Sequence, residues 1–515
     1  MSAAYKLEAV EHDVFAKPKE QAAAMERHLR SDEAMGATHA ELEAYVKREG
    51  QEYERRLMQA HLELRAAKER PVEVRGADGV RRSHPRMSHR PLLTVFGSVQ
   101  VERLAYQAPD VEGLHPMDAE LNLPVEEYSH GVRRYAAEAV ARCSYEEVVS
   151  DLAAHTGAPV HKRQVEELAT RAAQDFDAFY QQCTSEPETS DDLLVMAFDG
   201  KGIAMRPQDL REATQKAAAN ATHKLETRLS KGEKRNRKRM AEVAVIYTVA
   251  PFPRTVLDIV HDLKPVHDVA KQRPRPVNKQ VSASVVGNTE KVIEDTFHEA
   301  ERRDPEHRRR WVVLVDGNRD QIAMVRKTAK KTGVPVTLEL DLIHALEYLW
   351  KAAYCFHPEG TKEAEAWVEQ RLIGLLEGQS AGYLANGMRQ MAIHRNLNAE
   401  QRKPVDDCAR YLVNHRQLLH YDRALRDGLP ISTGVVEGAC RYLVQDRMGK
   451  TGARCSLSGA EAVLKLRALW ANGDFDAYWV FHLEREHERI HLSRYADGHV
   501  PRQVGAPKPH LRRVK

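Results

Sequence analysis

Apolar positions change their period several times along the chain, and each change marks a predicted element. Over 18–70 the sequence is rich in Ala, Glu, Lys, Arg and Leu and has no Pro after Pro18. Val46, Tyr53, Leu57, Ala60 and Leu64 recur there at spacings near seven, four and three. That stripe predicts a long amphipathic helix or a coiled coil, serving dimerisation or packing on its own domain. Residues 71–90 are polar and rich in Arg, Gly and Pro, which predicts a linker. Leu93 to Val101 is β-prone on both sides of Gly97-Ser98, which predicts a hairpin. From 126 to 182 helical spacing returns. Val132, Tyr135, Ala136 and Ala139 mark one face, Tyr145, Val148, Val149 and Leu152 a second helix, and Val165, Leu168, Ala172 and Phe176 a third. The break at His155–Val160, followed by His161-Lys162-Arg163-Gln164, fits either a DNA-reading helix-turn-helix or an ordinary helical hairpin.

Beyond 190 the pattern is that of an α/β sheet. Leu193–Phe198 is a short continuous apolar run, as in a strand buried on both faces, and it is expected to end in Asp199-Gly200. A second strand is expected around Ile203, Ala204 and Met205, and another over Ala241–Val249. A helix over 286–301 precedes the apolar run Trp311–Val315, which ends in Asp316-Gly317. A helix near 319–332 leads to Val336–Leu340 and Asp341. Residues 344–429 read as almost wholly helical. A helix then opens at Ile431–Gly434, and a last one runs from Gly459 to Leu469.

Composition adds bounds. The 515 residues suggest about three domains. The 78 Lys and Arg nearly cancel 75 Asp and Glu, so net charge alone does not point to nucleic acid, whereas its distribution does. Residues 224–239 hold eight basic and two acidic residues, a local +6, which suits phosphate contact and equally a solvated basic loop. The six cysteines form no C-x-x-C pair, which predicts a reduced intracellular chain without a zinc ribbon. The N-terminus lacks the apolar core of a signal peptide, and no run approaches the ~18 apolar residues of a membrane span. A soluble, cytoplasmic, nucleoid-associated protein without a membrane partner is expected.

Asp199 and Asp316 each follow an apolar strand and precede a glycine. Carboxylates at the C-terminal ends of central strands face the crevice where α/β sheets bind ligands, and two on neighbouring strands suit divalent cations. Asp-Gly after a strand is also an ordinary turn signal. Glu437, in the first turn of its helix, also has a plain role opposite the helix dipole.

Three blocks carry a resemblance: Ala197-Phe198-Asp199-Gly200-Lys201-Gly202; Val313-Leu314-Val315-Asp316-Gly317-Asn318; and Pro430 to Arg441 around Glu437. The last continues through Asp446-Arg447-Met448, Lys450-Thr451-Gly452, Gly459-Ala460-Glu461, Leu466-Arg467-Ala468-Leu469 and Asn472-Gly473-Asp474-Phe475. Over roughly 85–480 the chain resembles the DDE transposases of bacterial insertion sequences, the ISKra-type group in particular. The resemblance implies an α/β RNase H-like catalytic core with a helical insertion, preceded by a mostly helical N-terminal DNA-binding region. It places the catalytic, metal-binding acids on Asp199, Asp316 and Glu437, and implies two Mg²⁺ or Mn²⁺ ions. Asp341-Leu342-Ile343-His344 resembles an acid-x-x-His element of related transposases, so Asp341 and His344, with Arg441, are expected near the site. Similar proteins often have an aromatic residue where this chain has Cys455. The implied partners are double-stranded DNA, as transposon terminal inverted repeats and target, and further copies of the chain as a dimer or higher multimer.

The organisation expected is an N-terminal helix or coiled coil over 1–75, a β-hairpin region over 76–110 and a helix-turn-helix-like domain over 111–190. A core follows over 191–343 and 430–475, interrupted by a helical insertion over 344–429, with a basic tail over 476–515. Candidate DNA contacts are Lys162, Arg163, Lys201, Lys231, Lys234, Arg235, Arg237, Lys238, Arg239, Lys450 and Arg454. Two other classes compete. A catalytically silent DNA-binding regulator would use the same basic residues. A zinc hydrolase is suggested by His487-Glu488-Arg489-Ile490-His491, although Arg494 and Asp497 stand where the extended motif wants Gly and His.

Overall fold

The computed structural model describes residues 14–183, 191–220, 225, 227, 230, 237–263, 273–449 and 454–502. It is mixed α/β, 58% helix and 17% strand. The chain divides into two compact units, Met1–Phe179 with Asp474–Lys515, and Tyr180–Gly473. No helix among the described residues is long and apolar enough to cross a membrane.

In the first unit the long N-terminal stretch is broken. Helix α1 (Ala16–Leu29) is followed by α2 (His39–Lys68), which starts at a capping box between Thr38 and Glu41. Leu62 of α2 packs with Leu92, Val99, Val101 and Met117, and Met58 lies beside them. Of the expected stripe, Ala60 is buried, Tyr53, Leu57 and Leu64 are half-buried and Val46 is exposed, and the residues that meet the sheet core, Met58 and Leu62, stand outside it.

The expected linker is largely sheet. Short strands β1 (Val74–Arg75) and β2 (Arg81–Arg82) pair, and β3 (His84–Thr94) pairs antiparallel with β4 (Gly97–Ala108), itself paired with β5 (Val111–Leu114). Proline within 71–90 suggested a linker, but Pro85 lies in β3, an edge strand, where a proline needs no ladder partner for its missing N–H. The hairpin turn is Val95-Phe96, and Gly97 opens β4 at φ 125°, so the turn lies just before the expected Gly97-Ser98.

Helix α3 (Pro116–Glu120) precedes three packed helices, α4 (His130–Arg142), α5 (Tyr145–Thr156) and α6 (Lys162–Ala172). Gly157, left-handed at φ 69°, ends α5 as predicted from the break after His155. The expected tail over 476–515 begins instead as a helix, Phe475–Ile490, of which Phe475, Tyr478, Trp479, His482 and Glu486 are buried. Spacings of three and four are a helical stripe, and the basic character of the C-terminal end hid it. Tyr478 donates to the Ala172 carbonyl at 2.5 Å, fixing the helix to α6. Residues 503–515, with the remaining basic residues of that tail, lie outside the described residues.

The second unit is built on a five-stranded sheet of order β10-β9-β6-β7-β8. Strands β6 (Leu193–Ala204), β7 (Lys238–Val249) and β8 (Val277–Ser284) are antiparallel neighbours, whereas β9 (Trp311–Val315) and β10 (Val336–Leu340) run parallel to β6. Leu193–Phe198 and Trp311–Val315 are buried throughout, each large side chain contributing about 1.5–3 kcal/mol. The sequence suggested two strands around Asp199, but β6 is one strand of 12 residues, paired along its length with β7. Gly200 and Gly202 did not end it, because β7 lies close over them. A Cβ on Gly202 would stand 2.8 Å from Lys238 Cδ.

Helices α7 (Thr289–Arg303) and α8 (Arg319–Thr332) pack together beside the sheet. After β10 come α9 (Leu342–Ala353), α10 (Lys362–Leu376), α11 (Ala381–His394), α12 (Ala399–Asn414) and α13 (Tyr421–Arg426). The chain then returns through α14 (Gly434–Ala439), which lies on β6 and β7, to α15 (Leu457–Asn472), which packs on β8.

Candidate functional site

The parallel pairing of β6 with β9 ends at Ala197↔Leu314. Asp199 lies two residues farther along β6, and Asp316 directly follows Val315, the last residue of β9, so both stand just beyond the paired stretch, on its C-terminal side. Both carboxylates are held by local amides. The Gly200 N–H donates to Asp199 Oδ1 at 2.7 Å, and the Asn318 N–H donates to Asp316 Oδ1 at 2.8 Å. Both side chains are only partly exposed.

The third acid arrives on α14, which rests on β6 and β7. Glu437 is exposed, and Thr433 Oγ1 donates to its Oε1 at 3.2 Å. Three residues on, and thus near the same helix face, Cys440 Sγ lies 3.2 Å from Asp199 Oδ2. Burial, reinforced by the Asp199 charge, pushes the Cys440 thiol far up, so it stays protonated and donates. Cys440 also opens a π-helical stretch, Cys440–Gln445, an irregularity frequent at functional sites. The middle of β6, the residue after β9 and the first turn of α14 thus carry Asp199, Asp316 and Glu437, with α14 linked to Asp199 through Cys440. Their oxygens do not all lie within 4.8 Å of one another, as those of a tight trio would. Like charges resist such convergence.

Asp341 caps α9 and is fully buried. Its Oδ1 accepts from the Ile343 N–H at 3.2 Å and from the Thr433 N–H at 3.1 Å, tying the end of β10 to the residue that begins α14. His344 Nε2 lies 4.0 Å from Asp341 Oδ2. Arg441 is exposed, with Nε 3.7 Å from Asp446.

Glu242 is an acid that sequence reasoning passed over. It sits opposite Gly200 on β7, so it opens on the face away from Asp199. Gln321 donates to it at 2.9 Å and Thr289 at 3.3 Å. Burial raises its pKa, and the charges of Asp199 and Asp316 raise it further, against those two hydrogen bonds. The signal available was one carboxylate beside the apolar run that fills the rest of β7 after Ala241.

The expected DNA contacts divide. Lys201 lies two residues past Asp199 on β6, hence on the same face, and is partly exposed. Lys238 and Arg454 are exposed, and Arg237 is partly so. Arg239 is engaged with the Val285 carbonyl at 2.9 Å and the Asp209 carbonyl at 3.4 Å, a structural role that leaves less of it for DNA. Lys162 pairs with Glu146, and Arg163 with Glu167 at 3.0 Å, all exposed. Lys231, Lys234, Arg235 and Lys450 lie outside the described residues.

The H-E-x-x-H match belongs to the first unit. His487 Nε2 lies 2.8 Å from the Ala119 carbonyl, and His491 Nε2 2.8 Å from the Leu123 carbonyl. Each nitrogen donates to a backbone oxygen, so both histidines fasten the C-terminal helix. Nearby, Asp175, His482 and Glu486 are buried with ligand atoms within 4.8 Å of one another, close enough for a metal. However, Arg133 donates to Glu486 at 2.6 Å and lies 3.1 Å from His482 Nε2, and Arg489 bonds both Asp175 and Glu486. Guanidinium groups already hold the place of a cation.

Comparison with protein-family models and with curated proteins finds no match to this chain.

Proposed function

We propose that the second unit is an RNase H-like core and that the protein is a DDE-type DNA transposase, with Asp199, Asp316 and Glu437 as its acids. The observation that carries this reading is that Asp199 and Asp316 both follow the paired stretch of the adjacent parallel strands β6 and β9, each two residues beyond the last pair, Ala197↔Leu314. Cys440, one turn beyond Glu437, bonds that same Asp199. The strand order supports it as well: three antiparallel strands followed by two parallel ones, with the first acid on the central strand. The helical segment from Leu342 to Arg426 stands as an insertion before the third acid.

The donor chemistry fits the implied ions. Carboxylate oxygens are hard ligands that suit Mg²⁺ and Mn²⁺, and Asp199, Asp316 and Glu437 would hold two of them. When bound, such a pair would supply the charge that activates a water or 3′-hydroxyl and stabilises a leaving phosphodiester oxygen. The chain's own groups do the rest. The Gly200 and Asn318 amides and the Cys440 thiol fix the carboxylates before substrate arrives, and Lys201 supplies positive charge to a phosphate on the Asp199 face. In this reading α5 and α6 present a helix-turn-helix to the transposon ends, the basic residues of 224–239, most of which lie outside the described residues, would meet phosphates, and the protein works as a multimer on paired ends.

The test is Glu437→Gln on duplexes carrying the inverted repeats that flank the gene. DNA affinity should be unchanged, and Mg²⁺-dependent strand cleavage should fall by at least about 10³-fold, the scale on which a principal charge-stabilising group acts. Cleavage at the wild-type rate would remove Glu437 from the site.

A further inference from the structure

The helices between β10 and α14 make unusual contacts with the ends of the acid-bearing strands. Tyr411, in the last turn of α12, donates its hydroxyl to the main-chain carbonyl of Asp316 at 3.0 Å. His415, just past that helix, has Nε2 2.9 Å from the carbonyl of Gly317 and Nδ1 2.8 Å from that of Tyr411. Two side chains four residues apart therefore stand against consecutive carbonyls of the Asp316-Gly317 turn, Tyr411 as a hydroxyl donor and His415 with a ring nitrogen. Both are buried, at 9% and 8% exposure.

This arrangement requires glycine. Gly317 is left-handed at φ 98°, and a Cβ there would come within 3.0 Å of Tyr411 Oη and 3.2 Å of His415 Cε1. Tyr348 of α9 stacks on the Tyr411 ring, with centroids 4.1 Å apart and planes 16° apart, so the ring is held from its other side. The neighbouring strand is treated alike. Tyr421, fully buried, donates to the Leu340 carbonyl at 3.0 Å, one residue before Asp341.

We propose that this helical segment is a brace for the cation site, and that Tyr411 and His415 are positioning residues for Asp316. The Asp316 carboxylate is oriented by the Asn318 amide on one side, and its own peptide is fixed by the Tyr411 hydroxyl on the other. Without that hydroxyl the Asp316–Gly317 peptide can turn, since glycine restrains it weakly. The carboxylate then loses its fixed direction. Removing an outer-shell partner of this kind typically costs about 10–100-fold in metal affinity. The brace rests on the reading of Asp316 as a metal ligand.

The experiment measures Mn²⁺ binding to the full chain by electron paramagnetic resonance, without DNA, for wild type, Tyr411→Phe, His415→Gln and Asp316→Asn. Melting temperatures are recorded in parallel. Tyr411→Phe keeps the ring and its stack, and is expected to weaken Mn²⁺ binding by about tenfold or more with a near-native melting temperature. If Tyr411→Phe melts early, His415→Gln gives the same readout. Native Mn²⁺ affinity in both variants, together with loss of binding in Asp316→Asn, would overturn the brace and leave the proposed function standing. Native affinity in Asp316→Asn would overturn the metal role of Asp316 and the brace with it.

Discussion

At the scale of single residues, the candidate site depends on how carboxylates are kept ready without being neutralised. Asp199 illustrates it. One oxygen takes a backbone amide and the other a thiol that cannot ionise where it sits. A thiol is a weak donor, so it orients the carboxylate without withdrawing its charge. This predicts a split between two substitutions. Cys440→Ser retains a donor and should keep single-turnover cleavage within a few-fold of wild type. Cys440→Val fills the space without donating and should lose about tenfold, the effect of one ordinary hydrogen bond of about 1 kcal/mol or a little more. Equal rates for the two would show that Cys440 serves packing alone. The sequence carried the acids legibly, because each stands beside a glycine or inside a distinctive block. It did not carry Cys440, Glu242, Tyr411 or His415. Their roles come from contacts across 241, 79, 95 and 98 residues of chain, which no local spacing encodes.

At the scale of elements, legibility followed burial pattern. Strand β9, buried on both faces, the half-buried edge strand β10 and the helix between them were readable to within a residue. The long strand β6 was not, since Gly200 and Gly202 imitate a turn where β7 lies close above. The first part of strand β3 was missed because a proline there is harmless only at a sheet edge, and edge position is a tertiary fact. The helical segment after β10 was visible as helix, yet its use was not. Its junction with the sheet contains a further buried acid. Glu339 of β10 is 3% exposed, and burial pushes its carboxyl up to about 8, with Asp422 and Asp427 adding to the shift and Arg310 opposing it. The folded protein therefore binds this proton more tightly than the unfolded chain. Its stabilising contribution is complete below the unfolded value near 4.5 and is lost as pH rises through about 8. Glu339→Gln should accordingly gain melting temperature over wild type progressively between about pH 5 and pH 8.5. A difference that stays constant across that range would mean Glu339 is not protonated in the fold.

At the scale of the whole molecule, the two units divide the charged side chains by use. In the first, Arg133, Arg171 and Arg489 neutralise Glu126, Asp175 and Glu486 in a closed internal network, with His482 between them. In the second, the acids of the site are held by neutral donors, amides and a thiol, so their charge remains available. That contrast is what favours the proposed ligand set over the buried cluster as the place for a cation. Manganese soaked into crystals of the full chain and located by anomalous scattering tests it most directly. The account predicts two peaks about 3.5–4 Å apart among Asp199, Asp316 and Glu437. Manganese bound at Asp175, His482 and Glu486, with none at the three strand- and helix-borne carboxylates, would contradict it.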